Sequence, residues 1–229
     1  MEKKLKKKTH LKIIPVLIFL LLIVAIFFIY NLISSLPVKN IYITGNTYLT
    51  DQEIIELAKL ENYPSFIKTN STTIKKNIEK NKLIKHAKIT KKFFGIVEIT
   101  VEENNILFRK YDDDTKVILD NGSEVVDDKY SYSVPKLLNY VPDTKYKSFM
   151  KGMNQVTENI KIQISEITYL PNEQDKDRFL LYMNDGNYVY LTLTKFKQIN
   201  YYEDVLGKLK GKKGILYLDS GNHFQIMEG

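Results

Sequence analysis

The chain contains no cysteine and no tryptophan, and only 3 histidines among its 229 residues. Without cysteine there are no disulfides, no Cys-ligated zinc and no thiol nucleophile. The chain is long enough to build a core without such staples. Without tryptophan, aromatic burial falls to 16 tyrosines and 11 phenylalanines. His10, His86 and His223 are too scattered for metal-ligand spacing such as H-x3-H, and a lone histidine on a strand, such as His86, reads as a surface residue. No cofactor or metal is expected. The phosphate loop G-x-x-x-x-G-K-[ST], the dinucleotide fingerprint G-x-G-x-x-G and the nucleophile elbow G-x-S-x-G are all missing. Lys210-Gly211-Lys212-Lys213-Gly214 is rich in lysine and glycine but lacks the strand-loop-helix order of a phosphate loop, and reads as the turn into a strand. Asp112-Asp113-Asp114 and Asp127-Asp128 lack the spacing of a calcium loop and read as solvated loop ends.

A further absence is the most informative. From Ile13 to Ile33 there is no Asp, Glu, Lys, Arg or His. As a helix this run spans about 30 Å, the thickness of a bilayer's hydrocarbon core. Its Leu, Ile, Val and Phe residues favour insertion by roughly 0.3–0.6 kcal/mol each, on the order of 7 kcal/mol in sum. Pro15, Tyr30 and Asn31 lie near its ends, within reach of headgroups and water. The run is longer than a signal-peptide core and is not followed by an A-x-A site, so it is expected to remain as an anchor. Lys3, Lys4, Lys6, Lys7, Lys8 and Lys12 precede it and the next lysine after it is Lys39, which predicts a cytoplasmic N-terminus and an extracytoplasmic bulk. With Glu2, the tail holds +5 of the net +7. The remainder is nearly balanced and has no basic stripe, which argues against nucleic acid.

Beyond the anchor the periodicity predicts two small domains. Val38 to Thr44 is a strand closed by Gly45-Asn46. Thr50-Asp51-Gln52-Glu53 is a capping box, followed by a helical stripe of Ile54, Ile55, Leu57, Ala58 and Leu60. Thr72 to Asn81 is a second helix, capped by Ser71 or Thr72. His86 to Phe93 and Gly95 to Glu102 are strands joined at Phe94-Gly95, with Ala87, Ile89 and Phe93 turned inward. The order is β-α-α-β-β. From about 105 the chain is strand-rich. Strands are expected over 106–111, 116–120, at 125–126, and over 164–170, 178–183, 188–193 and 214–218. Asp120-Asn121-Gly122-Ser123 and Asp185-Gly186 supply hairpin turns. Val134 to Leu138 is extended. Helices are expected over Tyr146 to Ile160, with Phe149, Met150, Met153 and Val156 buried, and over Phe196 to Leu209. The fold class is α+β: a single transmembrane helix, a β-α-α-β-β domain and a mixed β-sheet domain with flanking helices. The divisions are 1–12 tail, 13–36 transmembrane helix, 37–104 first domain and 105–229 second domain.

This layout resembles the FtsQ/DivIB family of bacterial cell-division proteins over essentially the whole chain. VKNIYITGNTYLTDQEIIELAKL is similar to the opening of that family's POTRA domain, KLIKHAKITKKFFGIVEITVEE to its closing hairpin, and GILYLDSGNHFQIME to its terminal strand and the segment after it. Two departures stand out: Asn104-Asn105 where the family often has proline after the hairpin, and Lys82-Leu83-Ile84 where proline and an aromatic are common. The resemblance implies a non-enzymatic scaffold of the division septum whose partners are divisome proteins of the FtsL and FtsB/DivIC type, joined by strand addition to the terminal strand of the second domain. The matching positions are Leu216, Tyr217, Leu218, Asp219 and Ser220, with Phe224 beyond. Tyr201 and Tyr202 are expected as flanking contacts. Two other classes remain open. One is a POTRA-bearing assembly or secretion factor, disfavoured because the second domain is too short for a membrane barrel. The other is a membrane-anchored extracellular enzyme, which a deep pocket with converging polar groups would favour.

Overall fold

A computed structural model describes residues 13–113, 115–126, 134–209 and 211–227. The basic tail 1–12, Asp114, Asp127-Asp128 and Lys210 lie outside the described residues. The chain forms two compact units, one of residues 1–80 with 87–101, the other of 81–86 with 102–229.

The first unit begins with α1 (Ile13–Ser34), in which only Ser34 is buried. A helix apolar on every side, with no protein packed around it, finds its solvent in lipid. Then come β1 (Asn40–Thr44), α2 (Asp51–Ala58), α3 (Ser71–Ile78), β2 (Ile84–Lys92) and β3 (Ile96–Glu103). The sheet order is β1-β3-β2, with β1 parallel to β3 and Asn40 opposite Ile96. The parallel pair needs a crossover, which α2 and α3 provide. Both helices start on side-chain caps. The Glu53 N–H donates to Thr50 Oγ1 at 3.3 Å, and the Thr50 N–H donates to Glu53 Oε2 at 2.7 Å. In α3 the cap is Asn70 rather than Ser71 or Thr72: its Oδ1 accepts from the Thr72 and Thr73 N–H groups. Ile54, Ala58, Ile74 and Ile78 bury the inner stripe, and Ala87, Val97 and Ile99 are buried on the strands. Each large aliphatic side chain contributes roughly 1.5–3 kcal/mol on burial.

One inward assignment is corrected. Phe93 is 87% exposed and Phe94 86%. The alternation that points Phe93 inward ends at Lys92, because the chain turns sharply over Phe93–Gly95, with Phe94 at φ 67°.

The second unit is one nine-stranded mixed sheet. Its strands are β4 (Ile106–Arg109), β5 (Lys116–Leu119), β6 (Glu124–Val126), β7 (Lys136–Leu137), β8 (Ile164–Tyr169), β9 (Arg178–Met183), β10 (Tyr188–Thr192), β11 (Gly214–Tyr217) and β12 (His223–Ile226). Their spatial order is β12-β11-β10-β9-β8-β7-β4-β5-β6. β8, β9 and β10 form the expected antiparallel meander. β11 returns parallel to β10. The helical segments are α4 (Asp143–Met153), α5 (Glu158–Lys161), a 3-10 stretch Leu193–Tyr201 and α6 (Tyr202–Leu209). The expected helix over Tyr146 to Ile160 is therefore two, interrupted around Val156, whose side chain is nevertheless buried. The helix expected from Phe196 starts as a tighter 3-10 coil. The core joins Phe108, Phe149, Phe179 and Phe196, with the Phe149 and Phe179 rings stacked at 4.9 Å.

Candidate partner-binding edge

β11 is held on both sides. Leu216 pairs with Val189 of β10 and with Phe224 of β12. Among the described residues the open edge thus lies one strand beyond β11, on β12, a strand that periodicity over four residues could not reveal. At the opposite border of the sheet, β6 is blunted: Lys82 Nζ donates to the Glu124 carbonyl at 3.0 Å, and Lys110 pairs with the Glu124 carboxylate at 3.0 Å. Charge at an edge discourages pairing with another chain. β12 carries no Asp, Glu, Lys or Arg.

The register tells which backbone groups of β12 are open. The Met227 N–H donates to the Lys213 carbonyl at 3.0 Å. Antiparallel pairs alternate between bonded and non-bonded. With Ile215 opposite Gln225 and Tyr217 opposite His223, those pairs are the bonded ones. The N–H and C=O groups of Phe224 and Ile226 then point away from β11. Phe224 packs against the core cluster, whereas Ile226 on the same face is 47% exposed.

Three sets of contacts position this edge. On the outer face, Arg178 lies 3.7 Å over the Tyr190 ring, Tyr190 stacks on Tyr217 at 5.4 Å, and Tyr217 stacks on His223 at 4.7 Å. These are cross-strand side-chain pairs of the kind that stabilise sheets. The turn after β11 is pinned by Arg178 Nε donating to Asp219 Oδ2 at 2.7 Å, by the Leu218 N–H donating to the Tyr190 carbonyl at 2.7 Å, and by Lys195 Nζ donating to the Leu218 carbonyl at 2.7 Å. Burial pushes the Asp219 carboxyl up, but hydrogen bonds from Arg178 and Ser220 outweigh it and hold it below its ordinary range. At the start of β11, buried Asn187 accepts from the Gly214 N–H at 2.8 Å and donates to the Tyr202 hydroxyl at 2.9 Å, and Tyr202 in turn donates to the Asp185 carboxylate.

The expected contact residues therefore separate. Tyr201 is 65% exposed, while Tyr202 is 1% exposed and belongs to the core, so its assignment as a flanking contact is corrected. Neighbouring side chains on a helix point roughly 100° apart, so Tyr202 falls on the buried stripe and Tyr201 off it. Leu216 and Leu218 are buried. Tyr217 is half-buried on the outer face, Asp219 is engaged with Arg178, and Ser220 is exposed. Gln198, Tyr201, Val205, Leu216, Leu218 and Asn222 line a groove of about 320 Å³ beside the edge. Asn187, Arg178, Tyr190 and His223 were not among the expected residues. The only local sign of Asn187 is its place after the Asp185-Gly186 turn. Among the described residues no three His, Asp or Glu side chains gather as a metal site would require.

The architecture so far defines a class: a membrane-anchored protein with, among the described residues, one apolar span, a small β-α-α-β-β module and a mixed-sheet domain with an open strand. Comparison with known proteins sharpens it. Residues 36–104 match the POTRA domain, FtsQ-type, and residues 108–220 match Cell division protein FtsQ/DivIB, C-terminal. The cell division protein DivIB of Bacillus subtilis is 30% identical over 98% of this chain and 87% of its own length. DivIB of Listeria monocytogenes is 27% identical over 97% and 85%. Among solved structures, the major extracytoplasmic domain of DivIB from Geobacillus stearothermophilus aligns with 48% of this chain and 96% of its own, at 22% identity and a TM-score of 0.39. The chain belongs to the FtsQ/DivIB family of bacterial cell-division proteins.

Proposed function

We propose that this chain is a non-catalytic scaffold of the division septum, and that its second domain binds a coiled-coil partner of the FtsL and FtsB/DivIC type by strand addition to β12. The tail 1–12 lies in the cytoplasm, 13–36 crosses the membrane, and the domains 37–104 and 105–229 work outside it. The lysine bias before the span supports that direction. The observation that carries the reading is the open side of β12, where Phe224 and Ile226 offer backbone donors and acceptors. An incoming strand satisfies those groups, and its alternate side chains meet Ile226, Tyr201 and the adjoining groove.

Backbone direction provides the test. Proline at Ile226 removes an N–H that points to the partner, and proline is tolerated on an edge. Proline at Gln225 removes an N–H that points to β11. Ile226→Pro is expected to abolish co-purification of the partner while hydrogen exchange of β11 stays unchanged, whereas Gln225→Pro exposes β11 itself. Proline at Leu218 cannot separate the two effects, because the Leu218 N–H already donates to Tyr190. Full partner recovery with Ile226→Pro would place docking elsewhere.

A further inference from the structure

Beyond α1, the first unit exposes six large apolar side chains: Leu36, Tyr42, Tyr63, Ile67, Phe93 and Phe94. All but Tyr42 lie in, or within two residues of, backbone groups hydrogen-bonded to the segment that leaves α1. The Val38 N–H donates to Pro64 O at 2.9 Å, the Phe66 N–H to Leu36 O at 2.8 Å, and the Lys39 N–H to Gly95 O at 2.8 Å. Ser65 Oγ donates to the carbonyl of Ser34, the last residue of α1. Lys91 ties the same pieces together: its Nζ donates to the carbonyls of Phe66 and Thr69 and lies 4.3 Å from the Phe66 ring centroid. The helix exit, the 63–67 loop and the Phe93–Gly95 turn therefore form one connected assembly.

The turn itself is chemically odd. Phe94 at φ 67° and Gly95 at φ 81° are both left-handed, as the two central positions of a type I′ hairpin require. Asparagine or aspartate is the usual choice before glycine there, and a bulky residue at positive φ is strained. A phenylalanine at Phe94 strains the backbone and, at 86% exposure, gains almost no packing within the protein. The same is true of burial at Phe93. Both costs are offset if the rings meet a surface outside the chain.

We propose that Phe93 and Phe94, with Leu36 and Ile67, seat the first domain in the lipid interface beside its own transmembrane helix. The occupant is the bilayer, because the patch is continuous with the span. Ser35 and Leu36 continue the coil of α1 through bonds to Asn31, Leu32 and Ile33. At about 1.5 Å of rise per residue, Leu36, the last residue of that coil, stands only ~5 Å beyond Ile33. Interfacial side chains reach roughly 5–10 Å into the headgroup and acyl boundary. Exposed Lys39, whose Cγ lies 3.1 Å from where a Gly95 Cβ would stand, and exposed Lys68 suit anionic headgroups.

The absence of tryptophan makes the test direct. Full-length Phe94→Trp, and separately Phe93→Trp, is reconstituted alone into vesicles of phosphatidylglycerol and phosphatidylethanolamine, with or without lipids bearing a nitroxide near the glycerol. The expected result is blue-shifted emission, loss of most of the intensity with the nitroxide lipids, and protection from aqueous acrylamide. Emission like that of free tryptophan in water, quenched by acrylamide and indifferent to nitroxide lipids in both variants, would overturn the proposal. Because no other protein is present, that outcome would also leave the pair free for a protein partner.

Discussion

Replacing Gly214 by alanine puts a methyl group where β12 runs. A Cβ at Gly214 would stand 2.0 Å from the Gln225 carbonyl oxygen, 2.9 Å from its carbon and 2.6 Å from Phe224 Cε1. The phenyl ring can swing away, but the Gln225 carbonyl is backbone. To restore even a tight 3.0 Å contact, β12 must retreat by about 1 Å. An N–H···O bond near 2.9 Å then lengthens to about 3.9 Å, outside hydrogen-bonding range. The bonds of the 213/227 and 215/225 pairs, some three in number, contribute about 0.5–1.5 kcal/mol each. The loss is about 3 kcal/mol, confined to the edge, or roughly 150-fold in the population of displaced β12. Partner affinity should fall in proportion to the ordered fraction that is lost, because only the ordered strand is competent to pair. Hydrogen exchange over 223–227 in the full-length protein measures the first effect and partner titration the second. Gly207 in α6, with nothing within 4 Å of its Cβ position, provides the matched control, and Gly207→Ala is expected to leave both readings unchanged. Wild-type protection together with wild-type binding in Gly214→Ala would mean that β12 does not run against Gly214, and would refute the reasoning.

Other consequences follow from the same contacts. Tyr202→Phe leaves Asp185 and Asn187 short of a partner and should cost about 1–3 kcal/mol, read as faster exchange at the start of β11. Asp219→Asn removes a charge-assisted bond to Arg178 and should cost about 1.5–3 kcal/mol at neutral pH. Because the folded Asp219 carboxyl titrates below its ordinary 3.8, its contribution is complete above that value and is lost as pH falls through the lower, folded one. The stability gap between wild type and Asp219→Asn should therefore hold at neutral pH and close only under acid, which denaturant titrations across pH will check. Thr50→Ala should cost about 1 kcal/mol in the first domain through loss of its helix cap and leave partner binding unchanged; exchange of the α2 amides measures it.

Much of this was legible locally. The span from Ile13 needed only composition. The Thr50–Glu53 box, the Asn121-Gly122 and Asp185-Gly186 turns, and the Phe149 and Met153 stripe depend on residues close in sequence, and the structure carries each of them. Tyr201 and Tyr202 show where local reading ends. They are chemically identical neighbours, yet one is exposed and the other is tied to Asp185 and Asn187, a partnership made only when α6 packs beside the start of β11. Phe93 shows the same limit: strand alternation turns it inward, and the turn at Phe94 turns it out.

The sequence alone determined the anchor, the β-α-α-β-β order, the strand-rich second half and the family, because apolar runs, caps and turn pairs act over a few residues. Tertiary structure decided which strand stands open. His223 to Ile226 is too short to announce itself, and it becomes the edge only because it folds back on β11 and takes the place that Leu216 would otherwise present. An unpaired backbone group is a property of neighbours, and neighbours across a sheet are set by long-range pairing rather than by any residue's own chemistry.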